Sequence, residues 1–262
     1  MQTEAATLPG SPERPNEDWA ATSLPASGAG GTLVVLDGVT PPAGEDGCVH
    51  GVPWFTARLG GALTELSTSR RDLTLSEILS LAIRRTADAH RNTCDLSHPR
   101  TPQATVALAR WDEVTVDHLV LSDAALLLRS PDGAVRAVLD DRLDHVPREI
   151  LRSTAATDRL MRNQEGGFFT AAADPAVSAR AITGTTPRAE VRALAGLSDG
   201  ATRWVERFGA GDWADLFDVL EKEGTRGLLD RVRALETADA EAATPRGGKR
   251  HDDATAVCVR LE

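Results

Sequence analysis

The period of apolar positions changes twice along the chain and divides it into strands, then helices, then strands again. Residues 32–36, Thr-Leu-Val-Val-Leu, form a short run without a polar face, the pattern of a strand covered on both sides, and the run stops at Asp37-Gly38. Asp37 therefore falls at the mouth of a buried strand, where a carboxylate is held rigidly yet meets solvent. Gly38 lets another group come close to its carbonyl. Upstream, Asn16-Glu17-Asp18-Trp19 leads into a short apolar stretch, and the Gly/Ala/Ser-rich residues 26–31 join it to the buried run. This is hairpin grammar, and it would bring Glu17 and Asp18 near Asp37. Residues 1–13 read as a loose lead-in.

Helical spacing follows. Phe55, Leu59, Leu63 and Leu66 share a face over residues 52–66, and Ile78, Leu79, Ala82, Ile83 and Ala87 do so over 75–94. Thr74-Leu75-Ser76-Glu77 has the form of a capping box. Period two returns over 104–109, 114–121, 124–129 and 134–139, with Ser130-Pro131-Asp132-Gly133 as a tight turn, which predicts an antiparallel meander of consecutive hairpins. Residues 140–180 are irregular, with short helical pieces, and read as a mobile flap or insert. A strand is expected over 191–197, helices over 201–208, 212–222 and 225–235, a flexible loop over 237–250 and a last strand over 256–261. No repeat or domain boundary is evident, so 1–262 is read as one domain, a helical layer laid on a sheet.

Composition narrows the classes. The chain has 262 residues, 41% of them hydrophobic and 26% charged, a normal balance for a globular protein with a sizeable core. A net charge of -10 argues against a nucleic-acid or anionic-membrane surface but suits binding of hard cations. Lys222 and Lys249 are the lysines in an otherwise arginine-dominated positive set, which we read as codon bias. Cys48, Cys94 and Cys258 are odd in number and far apart, so no disulfide framework is implied. The polar, Pro-rich start lacks a signal-peptide core and no run is long enough to span a membrane, so a cytoplasmic location is expected.

Acids recur at element ends: Asp18 after a loop, Asp37 and Asp199 closing strands, Asp123 between strands, Asp252 opening the last one. Oxygen donors in such a set suit Mg²⁺ or Mn²⁺, and a carboxylate using both oxygens can bridge two ions.

The order of Asn16-Glu17-Asp18, Val35-Leu36-Asp37-Gly38, Gln103-Ala104-Thr105, Leu121-Ser122-Asp123, Leu197-Ser198-Asp199-Gly200 and Asp252-Asp253-Ala254-Thr255 resembles the PP2C (PPM) family of metal-dependent serine/threonine phosphatases, over nearly the whole chain. The resemblance implies an α+β fold, a four-layer α-β-β-α sandwich of antiparallel sheets flanked by helices. It also implies two Mg²⁺ or Mn²⁺ ions and hydrolysis of phosphomonoesters on a phosphorylated protein substrate. Asp37 would bridge the ions and Gly38 would ligate through its carbonyl. Asp199 and Asp252 would hold one ion, Asp18 would support the other, and Asp123 matches a third-metal position. Arg14 is the candidate for the family's phosphate-binding arginine, which normally lies slightly farther upstream of the acidic pair. Val39-Thr40-Pro41-Pro42 stands where many members carry His or Met and two glycines, so a general acid at that His position is missing. With no attached sensor, control would come from a partner or from the 140–180 insert.

Two rival readings remain. Gly196-Leu197-Ser198-Asp199-Gly200 has the nucleophile-elbow form, so a serine hydrolase would use Ser198 with Asp230 or Asp239 and His251. Hairpins in place of parallel crossovers, and acids left without a role, weigh against it. A phosphatase-like binding module without catalysis is the other. His90, Cys94 and His98 recur at intervals of four, and His50 follows Cys48 by two, which makes a zinc site conceivable. Asp95-Leu96-Ser97 and Pro99 end the helix, so these read as surface histidines with a buried cysteine. Trp54, Phe55, Trp204 and Trp213 are assigned to the core and Glu236–Glu241 to solvated surface.

Overall fold

The computed structural model describes residues 1–25, 27, 29–41, 44, 46–242 and 249–261. Its frame is two five-stranded antiparallel sheets, face to face. The first holds β2 (Trp19–Ser23), β3 (Gly31–Gly38), β4 (Ala104–Trp111), β5 (Thr115–Leu121) and, at its edge, β8 (Ile182–Pro187). The second runs β1 (Gln2–Leu8), β10 (Ala254–Arg260), β9 (Ala193–Leu197), β6 (Ala125–Arg129) and β7 (Val135–Val138) in spatial order.

Strand β3 shows how sequence parity sets the layers. Leu33 and Val35 point into the space between the sheets, where they meet Ala107, Val120, Leu126, Leu194, Val257 and Val259. Val34 and Leu36 point the other way, against helices α1 (Val52–Ser69) and α2 (Leu75–His90). A strand apolar on both faces is thus required by a sheet covered on both sides. The outer face of the second sheet, with Ala125, Leu127, Ala195, Ala256 and Cys258, is covered by α5 (Asp199–Glu206) and α6 (Trp213–Glu241). The order helix, sheet, sheet, helix is the expected four-layer sandwich. Phe55 and Trp204 are buried in it, and Trp54 and Trp213 pack partly buried against it.

Local chemistry matches the sequence at several ends. Thr74 and Glu77 form the capping box of α2: Glu77 N–H donates to Thr74 Oγ1 at 3.3 Å and Thr74 N–H to Glu77 Oε2 at 2.8 Å. Such a cap is worth about 1 kcal/mol. Helix α6 is broken at Gly224, whose φ of 76° is open to glycine at little cost. Glu4 of β1 caps the second half, accepting from Thr225 N–H at 2.9 Å.

Several expectations are corrected. Residues 1–13 are not a loose lead-in, since Gln2–Leu8 pairs antiparallel with β10 throughout its length. The meander is divided: β4 and β5 belong to one sheet, β6 and β7 to the other. The chain changes sheet at Ser122-Asp123, where Ser122 takes a φ of 65°. Residues 182–187 form an edge strand. Residues 237–241 continue α6 where the loop over 237–250 is expected, and 243–248 lie outside the described residues. Glu236 is 2% exposed and not a solvated residue. The 140–180 segment agrees with the short helical pieces expected there: it holds two short helices, α3 (Arg148–Leu151) and α4 (Thr154–Leu160), with 3-10 turns at Asp141–His145 and Pro175–Arg180. No helix among the described residues is long and apolar enough to cross a membrane.

Candidate metal centre

Parity and register bring the acids together. Asp37 continues the inward parity of Leu33 and Val35, so it emerges between the two sheets at their open end. Its register partner on β4 is Thr105. Trp19 pairs with Leu36, which sets Asp18, one residue before β2, beside Asp37. Asp199 begins α5 at the end of β9, and its N–H approaches Asp37 Oδ2 at 3.4 Å. Asp252 precedes β10, the strand paired with β9. At Gly200 this turn runs so close to the start of β10 that a Cβ would lie 1.9 Å from the Asp253 carbonyl oxygen. A side chain there would push Asp199 away from Asp252.

Asp37, Gly38, Asp123, Asp199 and Asp252 line one cleft of about 270 Å³, with Thr105 among its walls. The 140–180 segment forms one side through Leu143, Leu151, Thr157, Arg162, Phe168 and Thr170. Asp18 is fixed just behind it: Oδ2 accepts from Ser198 Oγ at 2.9 Å, whereas Oδ1 is buried and has no hydrogen-bond partner among the described residues. Asp253 clamps the loop that carries Asp18, taking Gly10 N–H and Glu17 N–H at 2.7 Å each.

The electrostatics are those of a site built for cations. Burial, and then the neighbouring Asp199, Asp18 and Asp123, push Asp37 well above the ordinary carboxylate range. Burial raises Asp18 to about 7 against its hydrogen bond from Ser198, and burial with Asp123 and Asp252 raises Asp199 to about 7. Asp123 is also raised, by burial. An orphaned carboxylate oxygen, oxygen-only donors and mutually repelling acids fit Mg²⁺ or Mn²⁺.

A pH dependence follows. Asp18 and Asp199 hold their protons more tightly folded than unfolded. Their contribution to stability is therefore complete below about pH 4 and is lost as the pH rises towards 7. A divalent cation bound at these carboxylates would replace those protons. Mn²⁺ is expected to raise Tm more at about pH 8 than at about pH 5.5; a Mn²⁺ shift equal at both values in thermal melts would contradict this account.

Cationic groups also reach the cleft. Lys249 Nζ donates to Asp252 Oδ1 at 2.8 Å and to Thr40 Oγ1 at 3.2 Å. Arg203 donates to Asp252 Oδ2 at 2.7 Å. Arg162 lies over the Phe168 ring and pairs with Asp158 at 3.1 Å. Arg14 is exposed on the loop before β2 and is not among the residues lining the cleft, although its charge acts on Glu17. Sequence reasoning missed Lys249 and Arg162. The signal for Lys249 was its rarity, one of two lysines in the chain. Arg162 carried none, because its segment has no regular pattern.

The serine-hydrolase constellation is not assembled. Ser198 Oγ sits between Asp18 and the N–H of Thr255, and His251 Nδ1 is 2.7 Å from Glu236 Oε2. Asp230 pairs with Arg226 and Asp239 with Arg207.

No family model matches the chain, and no curated protein matches it in sequence. Solved structures do match in fold. Serine/threonine phosphatase Stp1 from Staphylococcus aureus aligns with a TM-score of 0.63 at 14% identity, over 100% of this chain and 95% of that one. PppA, described as a key regulatory component of T6SS in Pseudomonas aeruginosa, aligns at 0.59 and 16% identity over 99% and 96%. The catalytic domain of serine threonine protein phosphatase PstP, in complex with two manganese ions, aligns at 0.58 and 17% identity over 98% and 96%. The chain has the fold of the bacterial PP2C-type phosphatases.

Proposed function

We propose that this chain is a Mg²⁺- or Mn²⁺-dependent phosphatase of phosphoserine and phosphothreonine in proteins. The observation that carries the reading is the gathering of Asp37, Asp199, Asp252 and Asp123 in one cleft, with one oxygen of Asp18 orphaned behind it, on a fold shared with phosphatases. Asp37 with the Gly38 carbonyl would lie between two ions, Asp199 and Asp252 would hold one, Asp18 would support the other, and Asp123 would serve a third. Bound there, the ions would supply an activated water and neutralise charge on the phosphoryl oxygens. Lys249 and Arg162 present positive charge to a phosphate in the cleft, and Arg14 would act from outside its wall. Leu143, Leu151 and Phe168 offer an apolar side to the rest of a peptide. The substrate would be a cytoplasmic phosphoprotein, with regulation from a partner.

A binding module without turnover is the second reading. It is favoured by Asp252, both of whose oxygens are already taken by Arg203 and Lys249, and by Val39 in place of a histidine. Hydrolysis of p-nitrophenyl phosphate with and without Mn²⁺ separates the two. Mn²⁺-dependent turnover is expected, reduced about tenfold in Ser198→Ala because one hydrogen bond that holds Asp18 is lost. No turnover with any divalent ion, with Mn²⁺ still bound in calorimetry, would favour the module. Complete loss in Ser198→Ala alone would favour a serine nucleophile.

A further inference from the structure

Outside the cleft, two cysteines and a histidine from three segments meet. Cys48 lies in the loop between β3 and α1, His90 is the last residue of α2, and Cys94 follows one turn later. Cys48 Sγ is 3.2 Å from Cys94 Sγ and 3.5 Å from His90 Nδ1, and the three donor atoms lie within 4.8 Å of one another. Tetrahedral zinc with two sulfurs and one nitrogen calls for S···S of about 3.8 Å and S···N of about 3.6 Å. The observed triangle differs from that by little more than side-chain adjustment.

The surrounding chain holds these groups in place. Gly47, at a φ of 76°, gives its carbonyl to Asp95 N–H at 2.8 Å, and Cys48 N–H donates to Asp46 Oδ1 at 2.9 Å. Cys94 N–H closes on the His90 carbonyl at 3.0 Å. His90 is 2% exposed, and its Nε2 has no hydrogen-bond partner among the described residues. It is not the surface histidine that its sequence suggested. Both thiols keep partial exposure, so an ion can enter from solvent. His98, which spacing favours, is absent from the cluster: its Nδ1 accepts from Arg100 N–H at 3.2 Å. His50 stacks on Trp54 with ring centroids 4.2 Å apart and is not one of the three clustered donors.

We propose that Cys48, His90 and Cys94 bind one zinc ion that fastens the loop leaving the Asp37 strand to the end of α2. Two soft sulfurs with one imidazole select zinc, whereas the oxygen-lined cleft selects Mg²⁺ or Mn²⁺, so the sites are chemically distinct and this one stands independently of the phosphatase reading.

The full chain, purified under reducing conditions after growth with added zinc, is expected to carry about one sulfur-bound zinc. Replacement by Co²⁺ should give a thiolate-to-cobalt charge-transfer band, which a carboxylate centre cannot produce. Cys94→Ser and Cys48→Ser should each lose the ion and the band while keeping the wild-type circular dichroism. His90→Gln, at a buried position, is the less clean variant. A reduced wild-type protein without the cobalt band, zinc unchanged in the double cysteine variant, or a Cys48–Cys94 disulfide in place of metal in freshly isolated protein would each overturn the proposal.

Discussion

Asp37→Asn is expected to act in opposite directions on activity and stability. Mn²⁺-dependent turnover should fall at least about 10³-fold, roughly 4 kcal/mol of transition-state stabilisation, while the Tm of the metal-free protein rises. The amide has nearly the shape of the carboxylate, so packing at the end of β3 is kept. What disappears is a charge that burial, Asp199, Asp18 and Asp123 all disfavour. Without metal that charge is a liability, and in the proposed centre it would be the ligand held between ions. Initial rates at saturating Mn²⁺ and thermal melts in chelator decide the matter. Retained turnover would remove Asp37 from the centre. Lost turnover together with a lowered metal-free Tm would show that the variant fails by misfolding.

The same charge pattern explains why the centre was legible in the sequence. A doubly covered strand has to be apolar at every position, so the first acid after it, Asp37, stands out against Leu33–Leu36. Asp18, Asp199 and Asp252 were legible for a related reason: each borders a strand that pairs next to its neighbour's end. Edge strands were harder. The β8 sequence Ile-Thr-Gly-Thr-Thr-Pro carries no apolar period, as suits a strand with a neighbour on one side alone, and β1 is mostly exposed. The passage from β5 to the opposite sheet turns on a non-glycine residue with positive φ, Ser122, which looks in sequence like any hairpin. Contacts between distant segments left the least trace. Cys48 meets His90 across 42 positions, and no local period marks such a pair. Lys249 reads as surface until the chain folds its ammonium onto Asp252.

Glu236 is the other residue whose loss should be severe, since one buried carboxylate organises three basic side chains. Its Oε1 accepts from Arg203 at 2.6 Å, and its Oε2 takes Arg233 at 2.6 Å and His251 at 2.7 Å. The two arginines then reach Asp252, Arg203 through the carboxylate and Arg233 through the backbone carbonyl at 2.6 Å. Burial works to raise Glu236, but the hydrogen bonds from His251 and Arg233 outweigh it and hold its pKa below the usual value. Glu236→Gln leaves the buried Arg203 and the half-buried Arg233 around a neutral amide, and breaking a buried pair in this way costs about 3–5 kcal/mol. Urea denaturation at neutral pH should show that loss. Because the native carboxylate holds its proton less tightly than the unfolded one, its stabilisation is present above about pH 4.5 and fades as acid protonates it, so the gap between wild type and variant should narrow on acidification. The variant should also need more Mn²⁺ for half-maximal turnover, since the arginines that hold Asp252 lose their anchor. A stability loss with an unchanged Mn²⁺ requirement would show that the network supports the fold without positioning Asp252.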